Sequence, residues 1–304
     1  MRSAPHPFTL RQLQYALAVA EELSFRRAAE RCAVSQPALS AQLAGLETAL
    51  GVRLFERDRR GVILTREGAA LLPRLTAALL AADDVVEAGR RLSDPLGGSL
   101  RLGVIPTISP YLLPSAVPAL AAAFPRLSIA WTEEKTPELV RRLHAGELDG
   151  ALLALEADLG DLERAVVAKD PFVLAAPARH PLGRKRGPAT LEELAGAHVL
   201  LLDDGHCLRD QSLSFCARAD LHERGFRATS LSTLVSMVAA GDAVTLLPSL
   251  AVATERRGGA VTIRPLARPA PGRTIGVVWR RGSPVGATLR KLAETLKAAY
   301  PHAA

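Results

Sequence analysis

Cysteine is scarce in this sequence of 304 residues, which holds only Cys32, Cys207 and Cys216. Three thiols exclude a disulfide framework, and in a reducing compartment a close pair is catalytic, redox-sensing or metal-binding before it is structural. Long apolar runs are also missing. The first ten residues contain no apolar h-region, and no stretch approaches the roughly eighteen uncharged apolar residues of a membrane span, so the expectation is a cytoplasmic protein. No internal repeat or low-complexity tract is visible, and 48% apolar with 23% charged residues excludes extensive disorder.

What is there divides the chain. Its length exceeds one ordinary core and implies two or three domains. The net charge of +7 fits a polyanionic partner only where basic residues gather. Residues 1–65 hold nine Arg against six acidic side chains, a mild excess, but Arg57, Arg59 and Arg60 crowd the tip of a segment, Leu54 to Leu64, that reads as a hairpin.

Local signals in the same region predict three helices. Thr9 is a cap with Gln12 as its capping-box partner and Phe8 against Leu13 as a staple, and Leu10, Leu13, Leu17 and Ala20 mark one apolar face. Ser24 caps a second helix with Phe25, Ala28, Ala29 and Cys32 inside. Ser35, with Pro37 following, starts a third whose inner face is Leu39, Leu43, Leu46 and Leu50. Two short helices joined by a tight turn are the pattern of a helix-turn-helix, whose second helix enters the major groove. Gln36, Pro37, Ser40 and Gln42 lie off the leucine face, and Ser35, Gln36, Pro37, Ser40 and Gln42 are candidates to read base edges or bind phosphates. The arginines of the hairpin would form a basic wing; a three-helix bundle with solvated arginines is the alternative. Thr65 caps a further helix, residues 66–92, in which Leu72, Leu75, Leu79, Ala82 and Val86 repeat as a coiled-coil seam and call for a partner. Pro73 should bend this helix or confine it to the part beyond its first two turns. Residues 93–99 read as a hinge.

From residue 100 onward strand-like runs alternate with helical ones: Leu100 to Ile105, Leu127 to Trp131, Gly150 to Leu155, Phe172 to Ala176, Val199 to Leu202, Val244 to Leu247 and Thr274 to Trp279. Alternation of this kind implies a mostly parallel sheet covered by helices, in two lobes, with a ligand beyond the strand ends near Pro106-Thr107 and Gly205-His206-Cys207.

Two of the three cysteines fall in Asp204–Cys216. His206 and Arg209 flank Cys207 and are groups able to stabilise a thiolate, whereas Leu213 and Phe215 give Cys216 apolar company, which raises a thiol pKa. Cys207 is therefore the better nucleophile and Cys216 the better resolving thiol, against the alternative that both are merely buried. If residues 208–216 are helical, nine steps of about 1.5 Å set the two Cα atoms roughly 13 Å apart, whereas a disulfide tolerates at most about 7 Å. Oxidation would then have to unwind the segment. A zinc site from His206, Cys207, Cys216 and His222 matches no common ligand spacing, so neither metal nor cofactor is expected. Cys32, on a helix's apolar face, reads as a small core residue.

The run Arg26-Arg27-Ala28-Ala29 through Val34-Ser35-Gln36-Pro37-Ala38-Leu39-Ser40, followed by Leu46-Glu47, Leu50-Gly51 and Leu54-Phe55-Glu56-Arg57, resembles the DNA-binding domain of LysR-type transcriptional regulators. The resemblance extends over nearly the whole chain. It implies an α/β protein: a winged helix-turn-helix over 1–65, a dimerising linker helix over 66–92, a hinge over 93–99, and a two-lobed, periplasmic-binding-protein-like sensor over 100–304. Lobe I would be 100–168 and 269–304, and lobe II 169–268. Ile105-Pro106-Thr107, Pro110 to Pro114, Asp204 to Gln211, Phe226 to Ser230, Val238 to Gly241 and Arg273 to Gly276 look like the peroxide-sensing branch of that family.

That resemblance implies a transcriptional activator, not an enzyme, switched when hydrogen peroxide oxidises Cys207 and a disulfide forms with Cys216. It places Thr107, Thr136 and Arg273 in the peroxide pocket, beside His206 and Arg209. It also implies double-stranded DNA with a dyad-like operator, RNA polymerase, and a homodimer that pairs into a homotetramer as partners. Two other readings stay open: a regulator controlled by a small metabolite between the lobes, and a thiol peroxidase that carries a DNA-binding domain. The chain departs from the branch at Glu223-Arg224-Gly225, which lack a histidine, and around Lys135-Thr136-Pro137-Glu138.

Overall fold

A computed structural model of the chain describes residues 6–58, 61–93, 98–256 and 260–301. It separates into two compact units, Met1–Gly89 and Arg90–Ala304.

In the first unit, helix α1 (Leu10–Glu22) begins at the expected capping box, with Thr9 and Gln12 satisfying each other's backbone. Its buried side is Leu13, Ala16 and Val19, flanked by Tyr15 and Ala18, whereas Leu10 is half exposed. The expected face through Leu10, Leu17 and Ala20 is thus rotated, because alanines and a valine fit the close approach of neighbouring helices. Helices α2 (Phe25–Arg31) and α3 (Gln36–Leu50) start at Ser24 and Ser35, whose hydroxyls accept from the amides of Arg27 and Ala38. Leu39, Leu43 and Leu46 complete the core, and Gly51, at φ 74°, ends α3 in the left-handed region open to glycine. Strands β1 (Phe55–Asp58) and β2 (Gly61–Leu64) form the hairpin in register Phe55 to Leu64. Arg59 and Arg60, and the side chain of Arg57, lie outside the described residues.

Helix α4 (Arg66–Ser93) starts where Thr65 Oγ1 accepts from the Gly68 amide, and it runs through Pro73 instead of starting beyond it. The expected seam is divided. Leu75 is buried in the unit's own core and Leu79 packs on it, so these two serve the fold of one chain, while Val86 and its neighbour Val85 stay exposed. Of the expected hinge, residues 94–97 lie outside the described residues, and Gly98 and Ser99 already belong to a strand.

The second unit runs β3 (Gly98–Val104), α5 (Ser109–Ala123), β4 (Leu127–Glu133), α6 (Thr136–His144), β5 (Gly150–Ala154), β6 (Glu163–Pro177), α7 (Pro181–Arg184), α8 (Leu191–Leu194), β7 (His198–Leu202), α9 (Cys207–Arg218), β8 (His222–Ala228), α10 (Leu231–Ala240), β9 (Thr245–Pro248), α11 (Ser249–Glu255), β10 (Val261–Pro265), β11 (Gly272–Trp279) and α12 (Gly286–Ala299). The main sheet has the order β10-β6-β11-β5-β3-β4, with β9 also on β6, and β7 pairs with β8 separately. Among the strands of the described residues β3 pairs in parallel with β4 and β5, and β7 with β8, whereas every strand pair made by β6 or β11 is antiparallel. The sheet is therefore mixed, not mostly parallel. Apolar runs report that a strand is buried and leave its direction open.

The long strand β6 organises this unit. Its first half, Glu163 to Pro171, pairs with β11, and its second half, Phe172 to Pro177, pairs with β9 and β10. At the changeover sits Asp170, a fully buried carboxylate. Strand β8 was not legible because only Ala228 of its seven residues is buried, which leaves no apolar alternation to read.

Candidate functional site

Strand β7 ends at Leu202, and the chain turns through Asp203–His206 into α9, with Gly205 at φ 85° making a turn that a side chain would strain. Cys207 is the first residue of α9. Its sulfur thus sits at a helix N-terminus, where about half a positive charge from the aligned peptides favours an anion. Around it Ile105, Pro106 and Thr107 follow β3, Lys135 and Thr136 open α6, and Gly205 and His206 close a tightly packed niche. This brings together four of the expected site residues, Thr107, Thr136, His206 and Cys207.

The remaining two differ in placement. Arg273, on β11, stands behind Thr107: Nη1 donates to Thr107 Oγ1 at 2.7 Å and Nη2 to the Thr107 carbonyl at 3.0 Å. Its guanidinium is fully buried against Asp170 Oδ2 at 3.0 Å. Arg209 does not line the niche, which corrects the expectation for it. Its guanidinium donates to Glu223 at 2.8 and 3.1 Å and to the Leu202 carbonyl at 3.1 Å, and pairs with Asp204 at 2.9 Å. It clamps the 203–206 turn to β8, and the carboxylate of Glu223, one of the three positions that lack a histidine, is what draws it there.

The electrostatics also revise the expectation of a ready thiolate. Burial pushes the Cys207 thiol above its ordinary value; the Arg273 charge and the Thr136 hydroxyl oppose this, and Glu156 adds to it. Burial, then the Lys135 ammonium, lowers the His206 pKa, so near neutrality this imidazole is uncharged and contributes no cation to the sulfur. It has proton capacity instead. His206 Nε2 is buried without a hydrogen-bond partner, as is Gln211 Oε1 close by on α9, and the buried Thr136 Oγ1 has only the Cys207 sulfur to bond. Polar atoms without protein partners around a thiol suit a small polar molecule that donates and accepts hydrogen bonds. Lys135, which had no assigned role, holds the turn by donating to the Asp204 carbonyl at 2.7 Å.

Cys216 lies on the same α9, two and a half turns on, buried, with its pKa pushed up to about 11 by burial and secondarily by Glu223. Both are free thiols, as is Cys32, which is half-buried against the first unit's core. Beside the niche a larger cleft of about 450 Å³, bordered by Pro137, Glu156, Asp158, Asp210 and Gln211, also reaches Cys207. In the first unit Gln36, Pro37 and Gln42 are exposed on α3, Ser40 is partly so, and Ser35 is engaged as the cap.

Two family descriptions match the chain: the LysR substrate binding domain over residues 93–301, and the bacterial regulatory helix-turn-helix protein, lysR family, over residues 10–69. The sequence is 42% identical over 290 residues to the DNA-binding transcriptional dual regulator OxyR of Escherichia coli K12, with 95% of each protein covered. Among solved structures, a full-length cysteine-to-aspartate variant of OxyR from Pseudomonas aeruginosa superposes with a TM-score of 0.76 at 34% identity, covering 96% of each chain. An H2O2-bound cysteine-to-serine variant of Corynebacterium glutamicum OxyR gives 0.65 at 34% identity, covering 98% of this chain and 95% of that one.

Proposed function

The chain belongs to the LysR family of bacterial regulators, and from that premise we propose that it is a DNA-binding transcriptional regulator that senses hydrogen peroxide through oxidation of Cys207 and disulfide formation with Cys216. The observation that carries the reading is the arrangement of the site: a thiol at a helix N-terminus is packed in a narrow niche beside polar atoms without partners, and the second thiol stands on the same helix beyond bonding reach.

The Cys207 thiol first gives up its proton, for which the neutral His206 is an acceptor at hand. The thiolate attacks one peroxide oxygen, the O–O bond breaks, and the departing hydroxide takes up a proton to leave as water, with Cys207 now a sulfenic acid. Cys216 then attacks the Cys207 sulfur; the S–S bond forms and the sulfenic hydroxyl leaves as a second water after gaining the Cys216 proton. The separation in the helix makes the second step conditional on unwinding α9. While α9 is wound, burial keeps Cys216 protonated and inert.

Output would pass to α3 and the hairpin on double-stranded DNA, with exposed Gln36, Pro37 and Gln42 at the bases and Arg57, Arg59 and Arg60 along the backbone. Pairing through α4 into dimers, and of dimers into tetramers, fits a dyad-like operator, and contact with RNA polymerase completes an activator in the cytoplasm. Among the described residues no helix is long and apolar enough to cross a membrane.

Thiol mapping by mass spectrometry before and after one equivalent of peroxide tests this. The expected product is a Cys207–Cys216 disulfide, with Cys32 unchanged. Loss of reporter response in Cys207→Ser and trapping of Cys207 sulfenic acid in Cys216→Ser should follow; an unchanged reporter response in Cys207→Ser overturns the proposal. The cleft of about 450 Å³ favours control by a small metabolite as a second reading. A metabolite-induced thermal shift equal in wild type and Cys207→Ala would support it.

A further inference from the structure

Asp170 was not marked by any motif, yet it is a fully buried charge at the changeover of β6. Both its oxygens are used. Oδ1 accepts from the Leu250 amide at 3.0 Å, in the first turn of α11, and Oδ2 accepts from Arg273 Nε at 3.0 Å. The Tyr300 hydroxyl also interacts with it, and burial, then this carboxylate, raises the tyrosine's pKa. The carboxylate is thus fixed by the backbone of one element and the side chain of another, and it grips Arg273 by the Nε edge. Oδ2 lies 3.0 Å from Nη2 as well, and this two-point grip aims the guanidinium at Thr107, where Nη1 donates to Oγ1 and Nη2 to the carbonyl.

A hydroxyl oxygen that accepts from Arg273 must send its own proton elsewhere. Among the described residues no acceptor for it is found, and Thr107 borders the niche beside Cys207. The proton is left for a lone pair inside the niche, that of the Cys207 thiolate or of a bound oxygen.

We infer that Asp170 is a positioning residue for Cys207: by fixing Arg273 it holds the guanidinium charge behind the niche and turns Thr107 into an obligate donor toward the sulfur. This rests on Cys207 as the reactive thiol in the function proposed above, but its test uses thiol chemistry that needs no peroxide. A second role, mere screening of the Arg273 charge, makes the opposite prediction. If Asp170 only screened, its removal would free the full cation and lower the Cys207 pKa; if it positions, removal lets the cation leave and raises it.

The experiment measures the pH profile of Cys207 alkylation by iodoacetamide in the full chain carrying Cys32→Ser and Cys216→Ser, with circular dichroism as the check on folding. Asp170→Asn should move the midpoint up by at least about half a unit, which is about a threefold slower reaction below the midpoint. Adding Asp170→Asn to Arg273→Gln should move it no further, since the effect passes through Arg273. An unmoved or lowered midpoint in folded Asp170→Asn overturns the inference, as does an equal shift in both backgrounds. Should Asp170→Asn fail to fold, Thr107→Val, which leaves the buried ion pair in place, decides: a raised midpoint supports the relay, and an unchanged one overturns it. Peroxide response is read separately. A protein that obeys these midpoints without forming the disulfide would refute the sensing function and keep the positioning role.

Discussion

Phe215 offers the sharpest test of the idea that α9 is the switch. It is 3% exposed, one residue before Cys216, with Arg218 5.9 Å from its ring centre. If disulfide formation unwinds α9, this packing belongs to the reduced form alone. Truncating a buried Phe to Ala removes about 3–5 kcal/mol of stabilisation. Phe215→Ala should therefore weaken the reduced state against the oxidised one by up to that amount. For a two-electron couple about 1.4 kcal/mol is 30 mV, so the midpoint potential of the Cys207–Cys216 pair should become more negative by up to about 60–110 mV. Glutathione or dithiothreitol redox buffers, with the disulfide fraction read by thiol labelling, measure this directly. A midpoint within about 15 mV of the wild type, in a folded variant, would show that Phe215 stays packed in both states and refute an unwound α9.

Glu156→Gln should lower the pH midpoint of Cys207 alkylation, because the Glu156 carboxylate helps to hold that thiol protonated; a rise would contradict the assigned field. Cys216 has its folded pKa raised from the ordinary 9.0 to about 11, so its contribution to stability is full below pH 9 and fades as pH climbs through 11. Urea midpoints of the wild type and Cys216→Ala should accordingly converge over that window by the equivalent of about 2–3 kcal/mol, and a constant difference would count against the shift. In the first unit a Cβ at Gly68 would stand 2.2 Å from the Leu54 carbonyl oxygen, so Gly68→Ala should lower the thermal midpoint and weaken operator binding. The expected loss is roughly 1–3 kcal/mol, and unchanged melting would refute the contact.

The helix starts were legible because capping is local: Thr9 with Gln12, Ser24, Ser35 and Thr65 each satisfy an amide within three residues in sequence. The helical span from Cys207 to Cys216 was legible as a condition, and its geometry followed from residue counting alone. The direction of strands β6 and β11 was not, since pairing depends on which chain segments meet after long separations. Nor was the division of α4, where a heptad pattern looks the same whether Leu75 serves its own core or a partner.

By itself, the sequence determined the capped helices of the first unit, the alternation of strands and helices beyond residue 100 and the nine-residue spacing of Cys207 and Cys216, because capping, periodicity and spacing act over a few residues; the winged helix-turn-helix came from the family resemblance. Tertiary structure alone decided which charges reach the sulfur. Arg209, two residues from Cys207, is drawn off by Glu223 and Asp204, whereas Arg273, sixty-six residues away, stands behind Thr107, held by Asp170. His206, adjacent in sequence, is made neutral by burial. Electrostatic influence falls with distance in space and rises with exclusion of water, and neither quantity is encoded in neighbouring positions along the chain.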